Sequence, residues 1–217
     1  MRTRSMTFSS CLTDEDDQLV IDASVAVNLL ASGRSLKILE LLGRPIFVSE
    51  PVVSELEEGE RLGYAPLGSV SGLVNAQLLQ VMPLSGHALD VFVRLVSGSA
   101  TDTLGDGEAA TVALAVSHEL TAVIDERKAS RVSSQYRGLR LATTIDLFAS
   151  SQVAGGLGRA SLAAAVAASL SGARMQVRET QFEWVWGLIG AEAVGRSPSL
   201  KRLSRRSLPT SKARSVG

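Results

Sequence analysis

Cysteine is nearly absent from this 217-residue chain: Cys11 stands alone, which excludes an internal disulfide framework and suits a reducing compartment. Histidine is almost as scarce. His87 and His118 are isolated and neither has ligand spacing, so no zinc site of the Cys/His kind can be written. Aromatic residues make up only 4%, so a core must be built from Leu, Val, Ile and Ala, which the 45% hydrophobic content allows. No run reaches the ~20 continuous apolar residues of a membrane-spanning helix. The nearest, "ASLAAAVAASL" (160–170), reads as an Ala-rich soluble helix. The start, "MRTRSMTFSSCLTDEDD", has no apolar run of signal-sequence length, and a cytoplasmic location is the resulting expectation, with no membrane partner.

The formal net charge is zero, yet residues 196–217 hold seven of the 22 Lys/Arg and none of the 22 Asp/Glu. An acidic body therefore carries a basic, Ser- and Pro-containing tail, which is expected to be disordered. It reads either as a solvated end or as a non-specific attraction to phosphate backbone. Length predicts one ordinary domain with appendages: an acidic leader at 1–17, a main domain at 18–150, a helical extension at 151–195 and the tail at 196–217.

Short apolar runs alternate with helical patterns. "QLVID", "PIFVS", "LLQVMPL", "TAVID" and "LRLAT" are predicted strands, and residues 64–77 give no clear pattern. Predicted helices include "ASVAVNLLAS" stopped by Gly33, "SLKILELLG" capped by Ser35 and ended by Gly43, "EPVVSELEEGERLG" with Pro51 in its first turn, and "GHALDVFVRLVSG". They continue with "GDGEAATVALAVSHEL" capped by Asp106, "ERKASRVSSQYRG", and "TIDLFASSQVAG" capped by Thr144; two more lie near 159–171 and 177–190. Strands read as unbroken apolar runs, which predicts a mostly parallel sheet covered by helices on both faces, an α/β fold.

In "LVIDAS" and "AVIDER" an aspartate ends a buried run. Asp22 and Asp125 are thus expected at the carboxyl edge of one sheet, where open α/β sheets bind ligands. Two neighbouring carboxylates repel, and a hard divalent cation such as Mg2+ or Mn2+ relieves that repulsion. Other acids rank by the same geometry: Glu108 opens a helix, Glu55 faces the same way as Val52, and Asp146 follows the last strand. Taken alone, Glu108 reads as a partner of its helix dipole. Arg127, Lys128 and Arg131 sit in the first turns of a helix, where positive charge is unfavourable unless acids or an anionic ligand compensate. They suit a phosphodiester, or a solvated basic face. Trp184 and Trp186 read as core, or as a partner groove or subunit interface.

The segments "LVIDASVAVNLLASG", "IFVSEPVVSELEEG" and "GDGEAATVALAVSHELTAVIDERKASRVSSQYRGLRLATTIDLF", in this order over residues 18–150, resemble the PIN-domain ribonucleases, toxin-component type. The resemblance implies a Rossmann-like three-layer α/β/α fold with acids around one or two Mg2+ or Mn2+ ions. It carries the family's acids onto Asp22, Glu55, Glu108 and Asp125, its small polar residue onto Thr144, and its first-motif serine onto Ser24. Asp22, Glu108 and Asp125 would ligate the metal, Glu55 directly or through water, while Thr144 and Ser24 position water or a ligand carboxylate. RNA is the implied substrate, with a cognate antitoxin and a second copy of the chain as implied partners. The alternative is a PIN-like module that binds RNA or protein without turnover.

Rival folds lack their residues. A haloacid-dehalogenase-type phosphatase needs Asp where Ser24 stands, and "LRLATT" lacks a receiver's lysine. Neither a GxxxxGK[ST] loop nor a Gly-rich first turn occurs.

Overall fold

Leu19–Ile21 (β1) is buried on both faces, a strand that only a central position in a covered sheet explains. In the computed structural model it pairs in parallel with Ile46–Ser49 (β2) on one side and Thr121–Val123 (β4) on the other. Gln80–Met82 (β3) and Arg140–Ala142 (β5) form the edges, giving the order β3-β2-β1-β4-β5, all parallel. The structure describes residues 8–12, 18–63, 69–97, 103–133, 135–196, 200, 201 and 203.

Alternation along β1 divides the core. Leu19 and Ile21 face one layer, built by α1 (Ala23–Ala31), α2 (Ser35–Leu42), α3 (Glu50–Arg61), α4 (Val70–Asn75), α8 (Thr144–Ala149), α9 (Ser151–Gly172) and α10 (Phe182–Arg196). Val20 faces the other, built by α5 (Gly86–Val96), α6 (Asp106–His118) and α7 (Arg127–Ser133). This is the expected three-layer α/β/α arrangement. A one-turn 3-10 helix, η1 (Glu179–Gln181), leads into α10.

Several predicted boundaries move, each for a local reason. Arg34 rather than Ser35 occupies the cap position of α2, without a side-chain cap bond, while Gly43 ends the helix in the left-handed region as expected. Gly105 rather than Asp106 caps α6, leaving Asp106 in its first turn, where its charge complements the helix dipole. Thr143, not Thr144, caps α8: its extended backbone lets Oγ1 accept from the Asp146 N–H while Asp146 accepts from the Thr143 N–H, a reciprocal capping box. The single helix predicted from 144 onward divides at Ser150, which caps α9.

α9 is long and apolar enough by composition to cross a membrane. It is broken at Gly158, whose φ of 70° no helix accommodates. Residues 159–172 are the longest unbroken piece, on the order of 21 Å at ~1.5 Å per residue, short of the ~30 Å hydrocarbon thickness. Leu162, Ala165, Val166 and Leu170 of that piece are buried in the core, so its apolar character serves packing.

The appendages are partly integral. Trp184 is buried and meets Phe8 edge-to-face at 6.1 Å, and Trp186 packs half-buried, so both are core residues. Leu200 and Leu203 are also buried in the core, which corrects the reading of everything after 196 as disordered. The remainder of the basic tail and residues 13–17 of the acidic leader lie outside the described residues.

Candidate active site

β1 and β4 are neighbours in register, Ile21 opposite Val123. Their next residues leave the sheet together: the Asp22 N–H donates to Val123 O at 3.3 Å, and Ile124 N–H donates to Ala142 O. Asp22 and Asp125 therefore stand side by side at the carboxyl edge, both almost fully buried.

Asp22 is the N-cap of α1. Its Oδ1 accepts from the Val25 N–H at 2.9 Å and from Ser24 Oγ at 2.9 Å. Ser24 thus orients the Asp22 carboxylate. Desolvation pushes Asp22 up to about 7, and the charges of Asp125 and Glu108 add to the rise against the two hydrogen bonds. Asp125 is also raised by desolvation, opposed by Thr144, Asn28 and Arg178. Thr144 grips it twice, N–H to Oδ1 at 2.8 Å and Oγ1 to Oδ2 at 2.6 Å.

Because Thr143 takes the capping role, the Thr144 hydroxyl is released for Asp125. Asn28 Nδ2 donates to Asp125 Oδ2 at 2.7 Å and to Thr144 Oγ1 at 3.2 Å, and its own carbonyl accepts from Ser169 Oγ on α9. Sequence reasoning missed Asn28, although a signal existed: a lone amide among the apolar residues of "ASVAVNLLAS".

The outer acids come from the helices. Glu108 is half-buried in the first turn of α6 and raised chiefly by desolvation, with Glu126 and Glu55 adding and Lys128 opposing. Glu55 stands on the rim, raised by desolvation and by Asp106. Gly107 explains why α3 comes so close to α6: a Cβ there would lie 2.8 Å from Glu55 Oε2 and 3.3 Å from Val52 Cγ2. Glu55 and Val52 do share a face, as the spacing predicts.

Lys128 is half-buried near Glu108, whereas Arg127 and Arg131 are exposed on α7. Asp146 is occupied elsewhere. Its Oδ2 accepts from Thr143 N and Oγ1, and its Oδ1 from the Cys11 N–H, so it caps α8 and fastens the leader. Arg178 was also missed: Nη2 donates to Ile124 O at 3.4 Å, bringing a cation from beyond α9 to the end of β4.

The donor set is oxygen only, and its acids raise one another, the condition a hard divalent ion relieves. Among the described residues no three acids, cysteines or histidines converge closely enough to enclose a metal ion. Mg2+ commonly holds one or two carboxylates and keeps several waters, so the chemistry fits without a closed cage.

Beside Ser24 and Glu55 runs a groove of about 450 Å³ between α1 and α3. Val27, Leu30, Leu56 and Leu62 line it, with Glu58 and Glu60 on its rim.

A PIN-domain family model matches residues 18–177. The chain belongs to the PIN-domain family. The match runs past residue 150 and takes in all of α9 and the segment after it as far as residue 177. No curated protein matches it. Among solved structures, this PIN domain is similar to a chain in the crystal structure of VapBC2 from Rickettsia felis bound to a DNA fragment from their promoter. Identity is 16% over 58% of this chain and 98% of that one, with a TM-score of 0.40.

Proposed function

We propose that this PIN domain is a Mg2+- or Mn2+-dependent endoribonuclease and the toxin of a toxin–antitoxin pair. One observation carries the reading: Asp22 and Asp125, buried side by side at adjacent strand ends, with Glu108 close enough to raise Asp22 further. Acids so placed repel a phosphodiester, and an RNA strand could approach only with a cation between them. Asp22 and Asp125 would hold that ion, with Glu108 and Glu55 joining directly or through the waters it keeps. When bound, the ion would lower the pKa of a water and neutralise charge developing on the phosphate.

The chain's own groups do the rest. Ser24 and the Val25 N–H fix Asp22, and Thr144 with Asn28 fixes Asp125, so neither carboxylate must reorganise as substrate arrives. Water oxygen bonds to phosphorus, the ester P–O bond breaks, and the proton passes to the departing oxygen. Arg127, Lys128 and Arg131 would receive flanking phosphates, and Ser24 would complete the substrate side.

For partners, the apolar groove with its acidic rim would seat a cationic amphipathic segment, the chemistry expected of an antitoxin. Leu89 and Val93, exposed on α5, with Val81 on edge strand β3, would suit a second copy of the chain. A reducing cytoplasm suits the lone Cys11.

The lack of three converging acids among the described residues favours a second reading, a PIN-like module that binds RNA or protein without cleaving it. Incubating single-stranded RNA with the protein and Mn2+, with EDTA as control, separates the two. Cleavage abolished by EDTA and by Asp22→Asn supports the nuclease; RNA bound but left intact under every metal supports the module.

A further inference from the structure

We propose that Arg178 is the built-in phosphate receptor of the site, a fixed guanidinium that binds the RNA phosphodiester beside Asp125. The inference rests on the nuclease reading and deepens it.

Arg178 is 53 residues from Asp125 in sequence, yet its Nη2 donates to the carbonyl of Ile124, the residue immediately before that aspartate. Its position is built. The Arg178 N–H donates to Gln181 Oε1 at 3.0 Å, and the Gln181 N–H donates back to Arg178 O at 3.0 Å. Gln181, itself buried, donates from Nε2 to Thr143 Oγ1 at 2.7 Å. Thr143 in turn donates to Asp146 at 2.6 Å. Met175 and Val177, just before Arg178, are buried in the core.

The turn that carries Arg178 is therefore bolted to the N-terminus of α8, the same helix start whose Thr144 grips Asp125. The turn holds the Arg178 backbone, and the Nη2 bond to Ile124 O holds the half-buried guanidinium, which limits the entropy it loses on binding a ligand. Its charge reaches Asp125, where it opposes the rise in that carboxyl's pKa. A resident cation among buried acids does two things. It lessens the repulsion an incoming phosphate meets, and its planar donors match phosphate oxygens in a way a lysine ammonium does not. Arg127 and Arg131, by contrast, stand exposed on α7.

The test uses the full chain and a labelled single-stranded RNA. Affinity is read by anisotropy in an Asp22→Asn background with Mg2+ present, and cleavage is read in the otherwise unaltered chain. Arg178→Met, which keeps the apolar stem, is expected to weaken binding about tenfold and to lower the log–log salt slope by roughly 0.7, the share of one phosphate contact on a single strand. Arg178→Lys should recover the slope but only part of the cleavage rate. Gln181→Ala, which keeps the charge but loosens its frame, should retain the slope and slow cleavage.

An Arg178→Met variant that folds with unchanged slope and affinity overturns the proposal, even if its cleavage falls, because the residue would then act through structure alone. If Arg178→Met does not fold, an Arg178→Lys variant with full cleavage and unaltered affinity overturns the planar-donor argument. RNA neither bound nor cut by the unaltered chain sinks the nuclease reading itself, a result distinct from either.

Discussion

The Thr144 hydroxyl donates to Asp125 Oδ2 at 2.6 Å, across 19 residues of sequence, while its backbone N–H holds Oδ1. The start of one helix thereby fixes the carboxylate at the end of the neighbouring strand. Thr144→Val keeps the N–H bond and removes the hydroxyl. A buried oxygen is then left with Asn28 alone, at a cost of about 1–3 kcal/mol. Denaturant unfolding should show that loss, and RNA cleavage should fall by at least tenfold. Thr144→Ser should stay near the unaltered chain in both.

Asp22 makes stability depend on pH. Its folded pKa, pushed up to about 7, lies above the ordinary 3.8, so the folded state holds this proton more tightly than the unfolded one. The stabilisation is complete below about pH 4 and is lost as pH rises towards 7. In EDTA, the melting temperature should therefore fall between these values. Asp22→Asn should flatten that fall and melt higher than the unaltered chain at pH 8. An identical pH profile for the two proteins would refute the assignment.

Gly107 keeps room for Glu55. Gly107→Ala places a methyl against Glu55 Oε2 and Val52 Cγ2, and the flexible Glu55 end must swing away. Helix propensity gains slightly from the same change. The melting temperature should hold or rise while RNA cleavage drops, a separation that circular dichroism and a cleavage assay would record. Cleavage equal to the unaltered chain would show that the rim position of Glu55 does not matter.

Cys11 should be a sluggish nucleophile. Desolvation and the neighbouring Asp146 charge push its thiol up to about 12, so thiolate is scarce at neutral pH. Alkylation by iodoacetamide at pH 8 should run far slower than that of free cysteine, and Asp146→Asn should quicken it. Equal rates for the two proteins would remove Asp146 as a cause.

The layers, the parallel strands and the two strand-end aspartates were legible in the sequence because each rests on local pattern: an apolar run, then an acid, then a helical period. Helix starts were legible only to within a residue. Thr143 and Thr144 have the same side chain, and only the extended backbone of Thr143 decides which one caps and which one reaches Asp125. Gly158 could not be told from the helical glycines beside it until the chain turned there. The partners of the aspartates divide in the same way. Ser24, two residues from Asp22, came only with the family resemblance; Asn28 left only a faint trace; Arg178 and Gln181 reach the site through tertiary contacts that no periodicity encodes.

Asp146 and Thr143 receive segments from both sides of the 18–150 region, Ser10 and Cys11 from before it and Gln181 from after it. Excision along the apparent domain limits would cut this knot. A fragment of residues 18–150 would bare the face that α9 and α10 cover and would strip the Asp146 carboxylate of its leader. Its inertness towards RNA would report a damaged scaffold rather than an idle enzyme, so the intact chain is the only fair subject for an activity assay.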